Sequence, residues 1–235
     1  TEIAETWTQE HIIKAIERGP HKSTLDPTAT KALEEETMEK VKANYAKIVV
    51  WKDIKNNMPE NLKISPVAMI PHKTRLFRCI LDLTFKLRIE TKTLTSVNSD
   101  TAMMAPQKSM AQLGYSLKRI IKTMAENYNQ KYPFMFSKCD IKDGFWRMVV
   151  SRDDAWNCCY TMPRKEGECI DDTKIVIPHS LQMGWSESPP LFCAATETAR
   201  DIIQELFTKQ TSLPPHPLEQ WLLNKNQEKK HINKY

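Results

Sequence analysis

Phe136-Ser137-Lys138-Cys139-Asp140-Ile141-Lys142-Asp143-Gly144-Phe145-Trp146-Arg147-Met148 is the stretch on which the reading of this chain turns. Phe134–Cys139 predicts a buried strand ending at Asp140, followed by a turn that carries a second carboxylate and a glycine. A carboxylate at a strand end is well placed for a hard cation. Mg²⁺ takes one or two carboxylates and fills its other positions with substrate phosphate and water. Taken alone, Asp140 reads first as a strand-end aspartate that caps a turn.

Two further stretches give that carboxylate a context. Downstream, Leu181-Gln182-Met183-Gly184-Trp185-Ser186-Glu187-Ser188-Pro189-Pro190-Leu191-Phe192 predicts a strand running through a glycine turn into a helix capped by Ser188, with prolines in its first turn. Such a turn lets backbone approach a ligand closely, and a helix N-terminus favours anionic groups. Upstream, Val67–Ile70 and Phe77–Leu81 are short apolar runs around the polar segment Pro71–Arg75, which predicts a hairpin with a basic tip. Its His72, Lys73, Arg75 and Arg78 suit either an exposed basic turn or a phosphate clamp, arginine supplying a planar fork of donors.

The remaining elements follow from periodicity. The first sixty residues read as helical and charged. Asp26-Pro27 opens a helix as N-cap and first residue, with Ala29, Leu33, Met38, Val41 and Tyr45 as its apolar positions. Residues 90–107 read as a loop. Met110, Leu113, Leu117, Ile120, Ile121, Met124 and Tyr128 predict an amphipathic helix with a core-facing stripe. Arg147–Val150, Trp156–Met162 and Lys174–Ile177 read as strands. Leu191, Ala195, Ala199, Ile202 and Leu206 read as the buried face of the helix after Ser188. Helix, hairpin, helix, strands and helix in that order predict an α+β fold rather than regular βαβ alternation.

Composition sets outer limits. The chain has 235 residues, 40% hydrophobic and 27% charged, enough for one large domain or two small ones. No apolar run approaches the roughly 18 residues of a membrane helix, and no signal peptide is visible. The chain begins at Thr1 without a methionine, as a processed or excised piece would. Net charge is +5, with cations grouped at Lys108, Lys118, Arg119 and Lys122 and at Lys225, Lys229, Lys230 and Lys234. That fits a polyanion partner as well as a solvated face. Cys79, Cys139, Cys158, Cys159, Cys169 and Cys193 form no zinc-type spacing and read as reduced thiols of an intracellular protein, cytoplasmic or nuclear.

In this order, the three stretches resemble the reverse transcriptases of retroelements, over roughly residues 60–210. Ser65-Pro66-Val67 with Phe77-Arg78 and Asp82 is similar to the fingers hairpin, Phe136–Met148 to motif A, and Leu181–Phe192 to motif B. The wording suggests a divergent retroelement lineage. The resemblance implies reverse-transcriptase-like fingers and a partial palm: a charged helical region 1–60, fingers 61–115, palm with motif A 116–147, fingers again 148–187, and a palm helix with basic tail 188–235. It implies RNA-directed DNA synthesis from dNTPs on an RNA template with a DNA primer, away from membranes, using Mg²⁺ or Mn²⁺. Asp140 would be the catalytic carboxylate and, with the Ile141 carbonyl, a metal ligand. Asp143 and Gly144 would flank the triphosphate and Arg78 would contact it. Phe145 would be the steric gate that crowds a ribose 2′-OH, and Gln182, Met183 and Gly184 would border the nucleotide pocket.

The chain departs from the family pattern in three places. His72 stands where the fingers usually offer lysine, with Lys73 as the adjacent substitute. Glutamine lies one position early, at Gln182. No aromatic-x-Asp-Asp of motif C follows motif B, since Asp153-Asp154 and Asp171-Asp172 both precede it. A two-metal displacement needs carboxylates for two cations about 3.5–4 Å apart. The expectation is therefore that this piece does not polymerise by itself. The alternative is a decayed or domesticated nucleic-acid-binding module that has lost catalysis.

Overall fold

Asp26 accepts hydrogen bonds from the Thr28 and Ala29 amides through Oδ1, and with Pro27 as the first helical residue it starts the helix the sequence predicts. The computed structural model describes residues 5–90, 92–101, 116–128 and 140–209. The elements are α1 (Gln9–Arg18), α2 (Pro27–Lys42), β1 (Ala46–Val50), the single turn α3 (Trp51–Ile54), β2 (Val67–Pro71), β3 (Phe77–Leu81) and the single turn α4 (Val97–Asp100). Then follow α5 (Ser116–Glu126), the short α6 (Arg152–Ala155), β4 (Tyr160–Thr161), β5 (Lys174–Pro178) and α7 (Ser188–Thr208). This is a mixed α+β arrangement with small antiparallel sheets. Contacts divide the chain into Thr1–Cys193 and Ala194–Tyr235, the boundary falling within α7.

Within Thr1–Cys193, β5 is the centre of a three-stranded antiparallel sheet in the order β1-β5-β4. Ala46 lies opposite Pro178, and Tyr160 opposite Val176. The hairpin β2–β3 pairs Val67 with Leu81 and Ile70 with Arg78. Ile64 bridges Cys159, and the Ser65 amide donates to the Cys159 carbonyl at 2.9 Å, tying the segment before the hairpin to the start of β4. Two apolar clusters fill the interior. Trp7, Ile12 and Ile16 pack with Trp51, Leu62, Ile64 and Ile175. Ala29 and Leu33 of α2 pack with Val67, Met69, Leu81, Leu83 and Val176.

Several expectations are corrected. The first sixty residues are not all helical: Ala46–Val50 is a strand, its β-branched Ile48-Val49-Val50 pairing with β5 after Asn44 leaves the helical region at φ +59°. Arg147–Val150 is not a strand. Phe145–Arg147 forms a 3-10 turn, and only Val149 bridges across to Ser180. Of Trp156–Met162, strand is confined to Tyr160–Thr161, because Trp156–Cys158 coils into a second 3-10 turn. The loop 90–107 carries α4, which Ser96 caps by accepting from the Ser99 amide. Ser188 is the first residue of α7 rather than its cap, and its Oγ donates to the Gln182 carbonyl at 2.7 Å.

Both amphipathic stripes are also corrected. On α5, Leu117, Ile120, Ile121 and Met124 are exposed, as is Tyr128 beyond it; Met110 and Leu113 lie outside the described residues. On α7, Leu191 and Ile202 are exposed. The predicted strand Phe134–Cys139 lies outside the described residues.

The cysteines give a first test of the core. Burial pushes the Cys79 and Cys158 thiols up to about 12, and raises that of the wholly buried Cys159 as well. At pH 8 a thiol near 12 is thiolate in only about one molecule in ten thousand. Cys169 is exposed. Peptide mapping after brief maleimide treatment at pH 8 is expected to find Cys169 modified and Cys79, Cys158 and Cys159 untouched. Equal labelling of Cys159 and Cys169 would show that β4 is not packed as described.

Candidate nucleotide-binding cleft

The turn after Asp140 is brought beside the glycine turn of residues 182–184 by two short backbone links. The Val150 amide donates to the His179 carbonyl at 3.0 Å, and the Leu181 amide donates to the Met148 carbonyl at 2.9 Å. The β2–β3 hairpin then closes on the same region from its own end: Arg78 directs Nη2 to the Met183 sulfur at 2.7 Å. Between them opens a cleft of about 650 Å³. Its walls draw Arg75, Arg78 and Cys79 from the hairpin, Asp140–Trp146 from the turn, Gln182 and Met183 from the glycine turn, and Phe192 from α7.

Asp140, Ile141, Asp143, Gly144, Phe145, Arg78, Gln182 and Met183 therefore share one cleft, although they lie more than a hundred residues apart at the extremes. Lys73 is not among the lining residues. It sits on the exposed tip of the hairpin, and Arg75, two positions on, lines the cleft instead. Gly184 is also not a lining residue. Its φ of +108° and its contact with β3 set the turn from behind: an added Cβ would stand 2.4 Å from the Leu81 carbonyl oxygen. Asn98 of α4 holds this turn on both sides, donating to the Gly184 carbonyl at 2.8 Å and accepting from the Ser186 amide at 3.0 Å. The Trp185 indole donates to Thr101 Oγ1 at 2.9 Å.

Phe145 packs edge-to-face on Phe192, with ring centroids 5.3 Å apart. Gly144 permits that packing, since a Cβ there would fall 2.9 Å from the Phe192 ring. Gln182 is buried, and its Nε2 donates to the Ser180 carbonyl at 2.9 Å, so its side chain is spent on the turn's own backbone.

The electrostatics of the cleft include a contribution from α2. Glu36 lines the cleft, and burial raises its carboxyl against the opposing pull of Lys40 and Arg75. Asp143 is bound by Lys40, Nζ to Oδ1 at 2.7 Å, and this hydrogen bond holds its carboxyl below the usual range. Asp140 is exposed. The Asp140 carboxylate and the Ile141 carbonyl are hard oxygen donors that suit one Mg²⁺ or Mn²⁺ completed by phosphate and water. They do not suit a pair of cations. Among the described residues no three His, Cys, Asp or Glu side chains gather as for a metal ion, and Asp143 is committed to Lys40.

Sequence reasoning missed Glu36, Arg75's place in the wall, and Lys40. A signal for the last was present: Ala29, Leu33, Thr37 and Lys40 follow helical spacing on the buried side of α2. Among the described residues no helix is long and apolar enough to cross a membrane. No family model matches the chain, and no curated protein matches it.

Proposed function

We propose that the chain is the fingers and first part of the palm of an RNA-directed DNA polymerase, and that the cleft receives the triphosphate and sugar of a dNTP. The observation that supports this reading is the gathering of three separate stretches, those of Arg78, of Asp140–Phe145 and of Gln182–Met183, around one cleft of nucleotide size. Arg75 and Arg78 would take the phosphates through charge-assisted hydrogen bonds. Asp140 and the Ile141 carbonyl would hold one cation, which when bound offsets phosphate charge. Phe145, braced by Phe192, would face the sugar and crowd a 2′-OH. Template RNA, primer and their duplex would lie against exposed cations such as Lys118, Arg119 and Lys122 of α5, the other clustered cations lying outside the described residues.

The test is equilibrium binding of dGTP and GTP in the presence of Mg²⁺. Binding of dGTP is expected to exceed that of GTP. Arg78→Ala and Asp140→Ala are each expected to weaken dGTP about tenfold or more, and Phe145→Ala to narrow the gap between the two nucleotides. A wild-type chain that binds neither nucleotide would overturn the reading.

A second reading is favoured by the carboxylate set. With no group of three metal-ligating side chains among the described residues, the chain could serve as a nucleic-acid-binding module without catalysis. Its mark would be salt-dependent binding of an RNA–DNA duplex with no Mg²⁺-dependent binding of dGTP.

A further inference from the structure

Lys40 stands where the buried register of α2 calls for an apolar residue. Ala29, Leu33 and Thr37 precede it on the same stripe, and its own side chain is only 9% exposed. An ammonium group in such a place is costly unless it is paired. Its partner lies 103 residues further along the chain. Asp143 Oδ1 is 2.7 Å from Nζ, and the Trp146 ring centroid is 5.3 Å from the same nitrogen, within cation–π range. One buried lysine thus grips the turn at both of its ends.

The residue it grips is in an uncommon conformation. Asp143 has φ +55°, a left-handed geometry that aspartate tolerates better than most residues but that surrounding contacts must maintain. Phe145 and its 3-10 turn begin two residues later. The charge of the cleft depends on the same contact. The charged side chains in its walls are Arg75, Arg78 and Lys142 against Glu36, Asp140 and Asp143. Three cations face three carboxylates, a balance that gives a polyanion no net attraction. Lys40, behind the wall, makes the fourth cation.

We propose that Lys40 is a positioning residue with two tasks: it cancels the Asp143 carboxylate, so that the cleft attracts a polyphosphate, and it fixes the Lys142–Trp146 turn. This rests on the polyphosphate reading of the cleft given above. It assigns a task to the charged N-terminal region, for which the sequence suggested no chemistry.

The experiment compares wild type, Lys40→Met, Asp143→Asn and the double variant in two measurements. One is the Kd of inorganic tripolyphosphate. The other is amide hydrogen exchange in a peptide spanning residues 142–148, which needs no ligand. Lys40→Met is expected to weaken tripolyphosphate about tenfold and to speed exchange. The double variant is expected to regain binding to within about threefold of wild type, because the uncompensated carboxylate is gone, while exchange stays fast. Lys40→Met that remains folded and binds as wild type does would overturn the proposal, leaving the polyphosphate reading intact. Wild type that binds no tripolyphosphate would overturn that reading and the binding role with it; unchanged exchange in Lys40→Met would then remove the hold on the turn as well. Should Lys40→Met fail to fold, Asp143→Asn decides. Fast exchange without weaker binding supports the proposal, and unchanged exchange overturns it.

Discussion

Gly184→Ala is expected to lower the unfolding free energy by about 3–5 kcal/mol, against about 1 kcal/mol for Gly167→Ala. Both glycines have positive φ, +108° and +82°, so both substitutions strain the backbone. They differ in surroundings. A Cβ at Gly167 meets nothing within 4 Å, whereas at Gly184 it would lie 2.4 Å from the Leu81 carbonyl oxygen. That oxygen belongs to the last residue of β3 and cannot swing aside as a side chain would. Nor can the turn retreat, because Asn98 holds the Gly184 carbonyl and the Ser186 amide, and Thr101 holds the Trp185 indole. Urea denaturation of the two variants, read by circular dichroism, separates the contributions. Equal losses at the two positions would mean that the glycine turn is not seated on β3, and the cleft wall formed by Gln182 and Met183 would have to be redrawn.

The sequence was most informative where a local rule sufficed. Asp26-Pro27 named a helix start, and the polar run between Val67–Ile70 and Phe77–Leu81 named a hairpin, because capping and turn chemistry act over a few residues. Lys174–Ile177 reads as a strand for a related reason, its β-branched Ile175-Val176-Ile177 run, and the structure buries all three residues at the centre of the sheet. The errors arose where partners far along the chain decide. Ala46–Val50 lies in the charged N-terminal region that reads as helical, and is a strand because its β-branched Ile48-Val49-Val50 pairs with β5. Arg147–Val150 has the composition of a strand but meets only the Val149–Ser180 bridge, so it stays irregular. The candidate site divides the same way. Asp140–Phe145 and Gln182–Met183 could be picked from their own stretches. Arg75 reads from the sequence only as part of a basic tip, and helical spacing from Ala29 and Leu33 marks Lys40 as inward-facing without naming what it meets. Its partnership with Asp143 spans a hundred residues, and no local pattern announces it.

Asp100→Ala is expected to cost about 3–5 kcal/mol, and the double variant Lys63→Met/Asp100→Leu to return within about 1 kcal/mol of wild type. Lys63 and Asp100 form an ion pair whose side chains are 3% and 12% exposed. Removing only the carboxylate strands an ammonium group in the interior, where desolvation is not offset. Removing both and restoring the volume with apolar atoms takes away the desolvation along with the attraction. The pair matters because of what it anchors. Asp100 is the last residue of α4, and the same single turn supplies Asn98 to the glycine turn. Lys63, in turn, donates its amide to the Trp156 carbonyl at 3.0 Å, so the ion pair fastens α4 to the chain that enters β4. The cycle therefore asks whether charge or shape fixes α4. A double variant as unstable as Asp100→Ala would mean that the charges themselves, not the filled volume, hold α4 in register with the turn at Gly184. Recovery of stability together with fast amide exchange at Gly184–Ser186 would mean that apolar packing replaces the energy of the pair but not its placement of Asn98.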